Sequence, residues 1–172
     1  MKLRVEVVAL DCLMVRLFDE IAEANMPWML AASESLRSAF GEHLIDLVPS
    51  YTTLMVHYDL VALSPAQARE VIAEALIDLS PNARTRGSCH VLPVWYDLSV
   101  GPELTLLAQR SGLTVAEVIR RHSQREYQVF ALGFAPGFAF MGLVEEVLAA
   151  PRLDTPRKKV AAGSVGIAER QT

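Results

Sequence analysis

The sequence predicts an α+β fold, and three observations carry that expectation. Segments rich in β-branched and aromatic residues alternate with two stretches whose apolar residues recur at helical spacing. Their order up to residue 96 is that of a split βαβ sandwich. The region that follows changes character and centres on an aromatic, glycine-punctuated loop.

In chain order, Leu3 to Val8 and Leu13 to Phe18 read as strands, separated by Leu10-Asp11-Cys12. Residues 19–40 carry Ile21, Ala24, Met29, Ala32 and Leu36 on one helical stripe, with Pro27 inside it. An interior proline removes an N–H and clashes with the preceding turn, so a kink or restart is expected there. Gly41 is a natural stop. Leu44 to Pro49 and Tyr51 to Asp59 follow, the second alternating well enough to read as a half-buried strand.

Ser64-Pro65-Ala66-Gln67 is a helix start: a serine cap, proline at the first helical position and glutamine three residues after the cap. Ala68, Val71, Ile72, Ala75, Leu76 and Leu79 then line one face, and Ser80-Pro81-Asn82 ends the pattern. After the polar stretch Arg84 to Ser88, the segment His90 to Tyr96 reads as another strand. The strand–helix–strand–strand–helix–strand order is that of a ferredoxin-like α/β sandwich. A first domain over 1–88 and a second over 89–172 are expected.

In the second half, Asp97 to Pro102 is a turn region and Glu103 to Arg110 a short helix stopped by Gly112. Thr114-Val115-Ala116-Glu117 has the spacing of a capping box and opens a helix to His122. Tyr127 to Leu132 reads as a buried strand running into Gly133-Phe134-Ala135-Pro136-Gly137-Phe138-Ala139-Phe140-Met141-Gly142. Proline and glycine end the strand, leaving a shaped loop loaded with rings. Burying one phenylalanine is worth about 1.5–3 kcal/mol. Either the chain's own core covers this loop or a partner does. Leu143 to Ala149 reads as a helical turn, and Ala161 to Ala168 as a turn feeding a strand.

The totals restrict function. The chain has 172 residues, 52% of them hydrophobic and 21% charged, with a net charge of −4. That balance is globular and lacks the basic footprint of a nucleic-acid binder. No apolar run reaches the length of a membrane span, and no leader pattern follows Met1, so a cytoplasmic protein away from membranes is expected. Cys12 and Cys89 read as free thiols. The local basic cluster Arg152 and Arg157-Lys158-Lys159 is either a solvated turn or an anion-binding site.

Self-contained catalytic motifs are missing. Gly163-Ser164-Val165-Gly166 lacks nucleophile-elbow spacing, and no P-loop, H-E-x-x-H or G-x-G-x-x-G is present. The four histidines lack ligand spacing, so no metal site is expected. His57 reads as a structural strand histidine. His122 ends a helix, where a cationic imidazole complements the dipole; work as a general base is the alternative. Glu145 and Glu146 are adjacent and point apart, so they do not form an acid/base pair. No catalytic residue is assigned.

Gly133-Phe134-x-Pro136-Gly137-Phe138, then Thr155-Pro156-Arg157, then Ala162-Gly163-Ser164-Val165-Gly166-Ile167-Ala168 with Gln171-Thr172 resembles a known family. It is that of the 5-oxoprolinase B subunit, or allophanate hydrolase subunit 1. The family includes KipI-like inhibitors of a sporulation histidine kinase and the first subdomain of biotin-dependent urea carboxyltransferases. The likeness extends upstream through Val48-Pro49-Ser50-Tyr51-x-x-Leu54-x-Val56-x-Tyr58-Asp59 and through Gly112-Leu113-Thr114 to His122.

The resemblance implies a cyclophilin-like β-barrel as the second domain, incomplete here because the family continues past the position of Thr172. It implies a C-subunit partner built on a similar barrel, a third hydrolase subunit, and ATP-dependent opening of 5-oxoproline to glutamate. A histidine kinase, or a urea or allophanate carboxyltransferase system, is the alternative partnership. Phe134, Pro136, Gly137, Phe138, Arg157, Gly163 and Ser164 fall on the signature loops, with His122 and Thr155 as further candidates. Ala139 and Phe140 stand where the family usually has proline and tyrosine, which removes a hydroxyl.

Overall fold

The computed structural model describes residues 3–81 and 87–172. The fold is mixed α/β and divides into two compact units. One comprises Met1–Gly87 with Phe130–Gly137, the other Ser88–Val129 with Phe138–Thr172.

The first unit is built on a four-stranded antiparallel sheet of β1 (Arg4–Ala9), β2 (Cys12–Arg16), β3 (Leu44–Pro49) and β4 (Thr53–Tyr58), in the order β1-β2-β4-β3. Period-two alternation sorts its side chains. Leu13, Val15, Leu54, Val56 and Tyr58 are buried, while Cys12, Met14, Met55 and His57 are half-buried on the other face. Helix α1 (Met26–Phe40) packs on β3 and β4 and against α2 (Pro65–Ala75). Met29, Ala32, Leu36 and Phe40, with Ala68 and Ile72, complete the core.

The chain leaves β2, passes through α1 and returns as β3, with β4 inserted between the two. The strand expected over 90–96 does not form; those residues are irregular and mostly exposed. The outer edge of β2 is taken instead by β1, joined to it by the tight turn Leu10–Asp11. A short hairpin closes at little entropic cost, and Pro93 lacks the N–H that a competing strand needs. The Leu13 to Phe18 strand correspondingly begins and ends slightly earlier than its hydrophobic pattern indicates.

Pro27 does not kink a long helix. It sits in the first turn of α1, where its missing N–H has no helical partner to lose, and a short 3₁₀ turn at Glu23–Asn25 precedes it. Gly41, at φ 53°, ends the helix. The capping box of α2 is complete: the Gln67 N–H donates to Ser64 Oγ at 3.3 Å, and the Ser64 N–H donates to Gln67 Oε1 at 2.9 Å. Ser64→Ala is expected to cost about 0.5–2 kcal/mol in urea unfolding, with helix content otherwise unchanged. The helix ends at Ala75 rather than Leu79. Of the residues read after it, Asn82 and Arg84 to Arg86 lie outside the described set.

The second unit packs α3 (Leu104–Ser111) against α4 (Val115–Ser123) around Leu104, Ala108, Val118, Val144 and Leu148. Gly112 closes α3 in the left-handed conformation that an L side chain resists. Thr114 accepts from the Glu117 N–H at 3.2 Å, giving one arm of the expected box. The Glu117 carboxylate instead holds Arg120 and Arg121.

Strands β5 (Gln128–Leu132) and β6 (Ala139–Gly142) form a two-stranded ladder. Of β5 only Phe130 and Ala131 are buried, so it is not the wholly buried strand its composition indicates. The helical turn expected over Leu143 to Ala149 is a 3₁₀ turn at Glu146–Leu148. Residues 161–168 make a turn and then an isolated bridge rather than a full strand. Among the described residues no helix is long and apolar enough to cross a membrane.

Candidate functional site

The signature loop leaves β5 at Gly133. Its conformation is tight: the Ala135 N–H donates to the Gly133 carbonyl at 2.8 Å, and Gly137 takes φ 79°. Phe134 also lies at positive φ, 67°, which is uncommon and strained for a bulky residue. Its side chain is 92% exposed, so this ring does not plug a core. Phe138 is 45% exposed and meets Phe140 edge-on, with centroids 5.0 Å apart.

The other signature residues have separate partners. Arg157 forms an ion pair with Glu103, ahead of α3. Gly163 takes φ 79° in a turn that Ser164 closes, its hydroxyl donating to the Ala161 carbonyl at 2.7 Å. Thr155 and Pro136 are exposed.

The most organised polar constellation surrounds His122 at the end of α4. The ring is 7% exposed and lies between two hydroxyls: Tyr96 is 2.5 Å from Nδ1 and Thr172 Oγ1 is 2.8 Å from Nε2. Tyr127 stacks obliquely at 5.3 Å between centroids and donates its hydroxyl to the His122 carbonyl at 2.9 Å. Burial pushes the imidazole pKa below its ordinary value of 6.5. It also raises Tyr96, and chiefly burial pushes Tyr127 up to about 12.

This environment works against the cationic imidazole expected from the helix terminus. Desolvation opposes the charge and favours the neutral ring, which offers one donor and one acceptor nitrogen to the two hydroxyls. A neutral imidazole between two hydroxyls can take a proton from one and return it through the other. Tyr96 and Tyr127 carry no signal of this role in the sequence, because each sits in a segment with strand composition; the helix-ending histidine is the only pointer.

Beside this network, Glu117 is pulled down to about 2, first by hydrogen bonding to Arg120 and then to Arg121. Arg121 also reaches Glu145 at 2.8 Å, whereas Glu146 faces Arg170. The two adjacent glutamates thus serve different cations.

A second constellation lies on the sheet of the first unit. His57 Nε2 is 3.1 Å from Asp11 Oδ2, and the carboxylate also bonds Cys12. A backbone hydrogen bond at Asp11 itself, then His57, lowers the Asp11 pKa. Burial, then the Asp11 charge, raises Cys12. Sequence spacing could not reveal this group, because Asp11 and His57 are 46 positions apart and meet only through strand register.

These features define a two-unit α/β protein whose polar constellations sit on the ends of α4 and β4, with an exposed aromatic loop after β5. Residues 3–172 match the carboxyltransferase domain, subdomain C and D, and the chain belongs to that family. It is 32% identical over 179 residues to the B subunit of 5-oxoprolinase from Bacillus subtilis, an alignment covering 98% of this chain and 75% of that relative. The corresponding B subunit from Escherichia coli O157:H7 is 46% identical over 81 residues, which cover 47% of this chain and 37% of that one. Among solved structures, TTHA0988 superposes with a TM-score of 0.76 at 33% identity over 93% of this chain. The chain spans 31% of TTHA0988.

Proposed function

We propose that this chain is a non-autonomous subunit of an ATP-dependent hydrolase that opens 5-oxoproline to glutamate. The observation that carries this reading is its similarity, along nearly its whole length, to a relative named as the B subunit of 5-oxoprolinase. In such a reaction water adds to the ring carbonyl, the C–N bond breaks, and the nitrogen leaves as the glutamate amine while ATP hydrolysis drives the step. The signature loop at Phe134, Pro136, Gly137 and Phe138 meets a partner of the C-subunit type, and a third chain completes the enzyme in the cytoplasm. Residues 1–88 act as a ferredoxin-like domain, with β1 in the edge position. Residues 89–172 contribute part of a cyclophilin-like barrel.

In this reading Arg157 binds an anionic group of substrate or nucleotide, Thr155, Gly163 and Ser164 belong to the same signature segments, and His122 serves as a proton-holding group. A charge-assisted hydrogen bond is worth about 1.5–3 kcal/mol, so Arg157→Ala is expected to lower kcat/KM about tenfold or more. Glu103→Gln, which removes only the ion-pair partner of Arg157, should stay near wild type. Equal losses in both variants would reduce Arg157 to a structural ion pair.

Co-expression with the C-type partner and the third hydrolase chain tests the function directly. ATP-dependent loss of 5-oxoproline is expected with all three chains and not when this one is omitted. Full activity without it would overturn the reading. The family's description as a carboxyltransferase domain favours one other assignment, a subunit of a urea or allophanate carboxyltransferase. Carboxylation of urea when a biotin carboxylase with its biotinylated carrier, bicarbonate and ATP replaces the third hydrolase chain, without 5-oxoproline loss, would select it.

A further inference from the structure

Cys12 and His57 stand directly opposite one another in the β2–β4 ladder, on the face away from buried Leu13 and Val56. Directly opposed residues share a face with Cβ atoms about 4.5–5.5 Å apart, close enough for both side chains to reach one ion. Asp11 joins them from the β1–β2 turn. That turn is pinned to β4 twice: the Tyr58 N–H donates to the Asp11 carbonyl at 3.0 Å, and the Tyr58 hydroxyl to the Leu10 carbonyl at 2.9 Å. The carboxylate oxygen, thiol sulfur and imidazole nitrogen all lie within 4.8 Å of one another.

We propose that Asp11, Cys12 and His57 form a binding site for a zinc-class divalent cation, with three protein ligands and a fourth position open to water. Zinc binds these three donor types at about 2.0–2.3 Å in tetrahedral geometry. Rotation of the three side chains toward a common centre brings their donor atoms to that spacing, the Asp11–His57 hydrogen bond giving way to two metal bonds. Mixed sulfur, nitrogen and oxygen donors select zinc or cobalt over magnesium and calcium, which take oxygen alone. Thiolate and carboxylate together balance the charge of the ion, and the thiol proton passes to solvent on binding. The His57 and Asp11 side chains are 32% and 42% exposed, which gives the ion a way in. Bound metal would clip the β1–β2 turn to β4.

The probe is Co²⁺ added to the metal-free, reduced chain. A sulfur-to-cobalt charge-transfer band saturating at one equivalent is expected, displaced by Zn²⁺. Cys12→Ser should abolish the band, and His57→Gln should weaken binding at least tenfold. Cys89→Ser should leave both unchanged. His57 is half-buried, so His57→Gln keeps the test open if the Cys12 variant misfolds. Three results would overturn the site: no thiolate band up to about 100 μM Co²⁺, a band that survives both substitutions, or a band lost only with Cys89.

Discussion

Phe40→Ala is expected to destabilise the first unit by about 3–5 kcal/mol, the range for truncating a large buried aromatic side chain. The ring closes the last turn of α1, is 2% exposed and faces Tyr58 at 6.4 Å between centroids. The loss has two parts. Transfer of the ring out of water no longer contributes, and the space beneath α1 cannot collapse because β4 is held in register on both sides by β2 and β3. Hydrogen exchange of the β4 amides in low denaturant reads this unit separately from the second. Protection should fall by two orders of magnitude or more, since each 1.4 kcal/mol is a factor of ten. A decrease below tenfold would mean that α1 does not anchor this core.

What could be read in advance divides along the range of the interactions. Ser64 with Gln67, Gly41 and Gly112 act within a few residues, and each ends or starts a helix where its chemistry requires. Alternation likewise separated Leu54, Val56 and Tyr58 from Met55 and His57. Edge assignment was harder, because it depends on competition: His90 to Tyr96 has strand composition, yet a hairpin partner already next to β2 wins. Pro27 shows the same limit in a helix, since a proline is costly inside and harmless in the first turn, and the stripe alone does not place the start. The environments of His122 and His57 were the least legible. Each is assembled from segments far apart in sequence, through irregular segments meeting the end of α4 in one case and strand register in the other. The signature loop was found by its residue types, but neither the exposure of Phe134 nor its positive backbone angle is specified by composition.

His122→Leu is expected to lower the stability of the second unit by about 1–3 kcal/mol at pH 8, because the hydroxyls of Tyr96 and Thr172 lose the ring nitrogens they share. The pH dependence separates this role from simple packing. In the folded chain the imidazole pKa lies below its ordinary value of 6.5, so on acidification the unfolded chain binds a proton before the folded one does. The stabilisation is therefore complete above pH 6.5. It declines as the pH falls from there to the folded-state value and levels off beneath it. Leucine has no such proton, so the difference between wild type and variant should narrow in that window. Urea unfolding followed through α4 backbone resonances between pH 8 and 5 measures both curves, and the ring resonances of His122 locate its midpoint. A difference that widens on acidification, or a midpoint above 6.5, would return His122 to the cationic helix-terminus role, and parallel curves would leave it a packing role alone. The expected convergence would instead show a neutral imidazole, held between two hydroxyls by the desolvation around it.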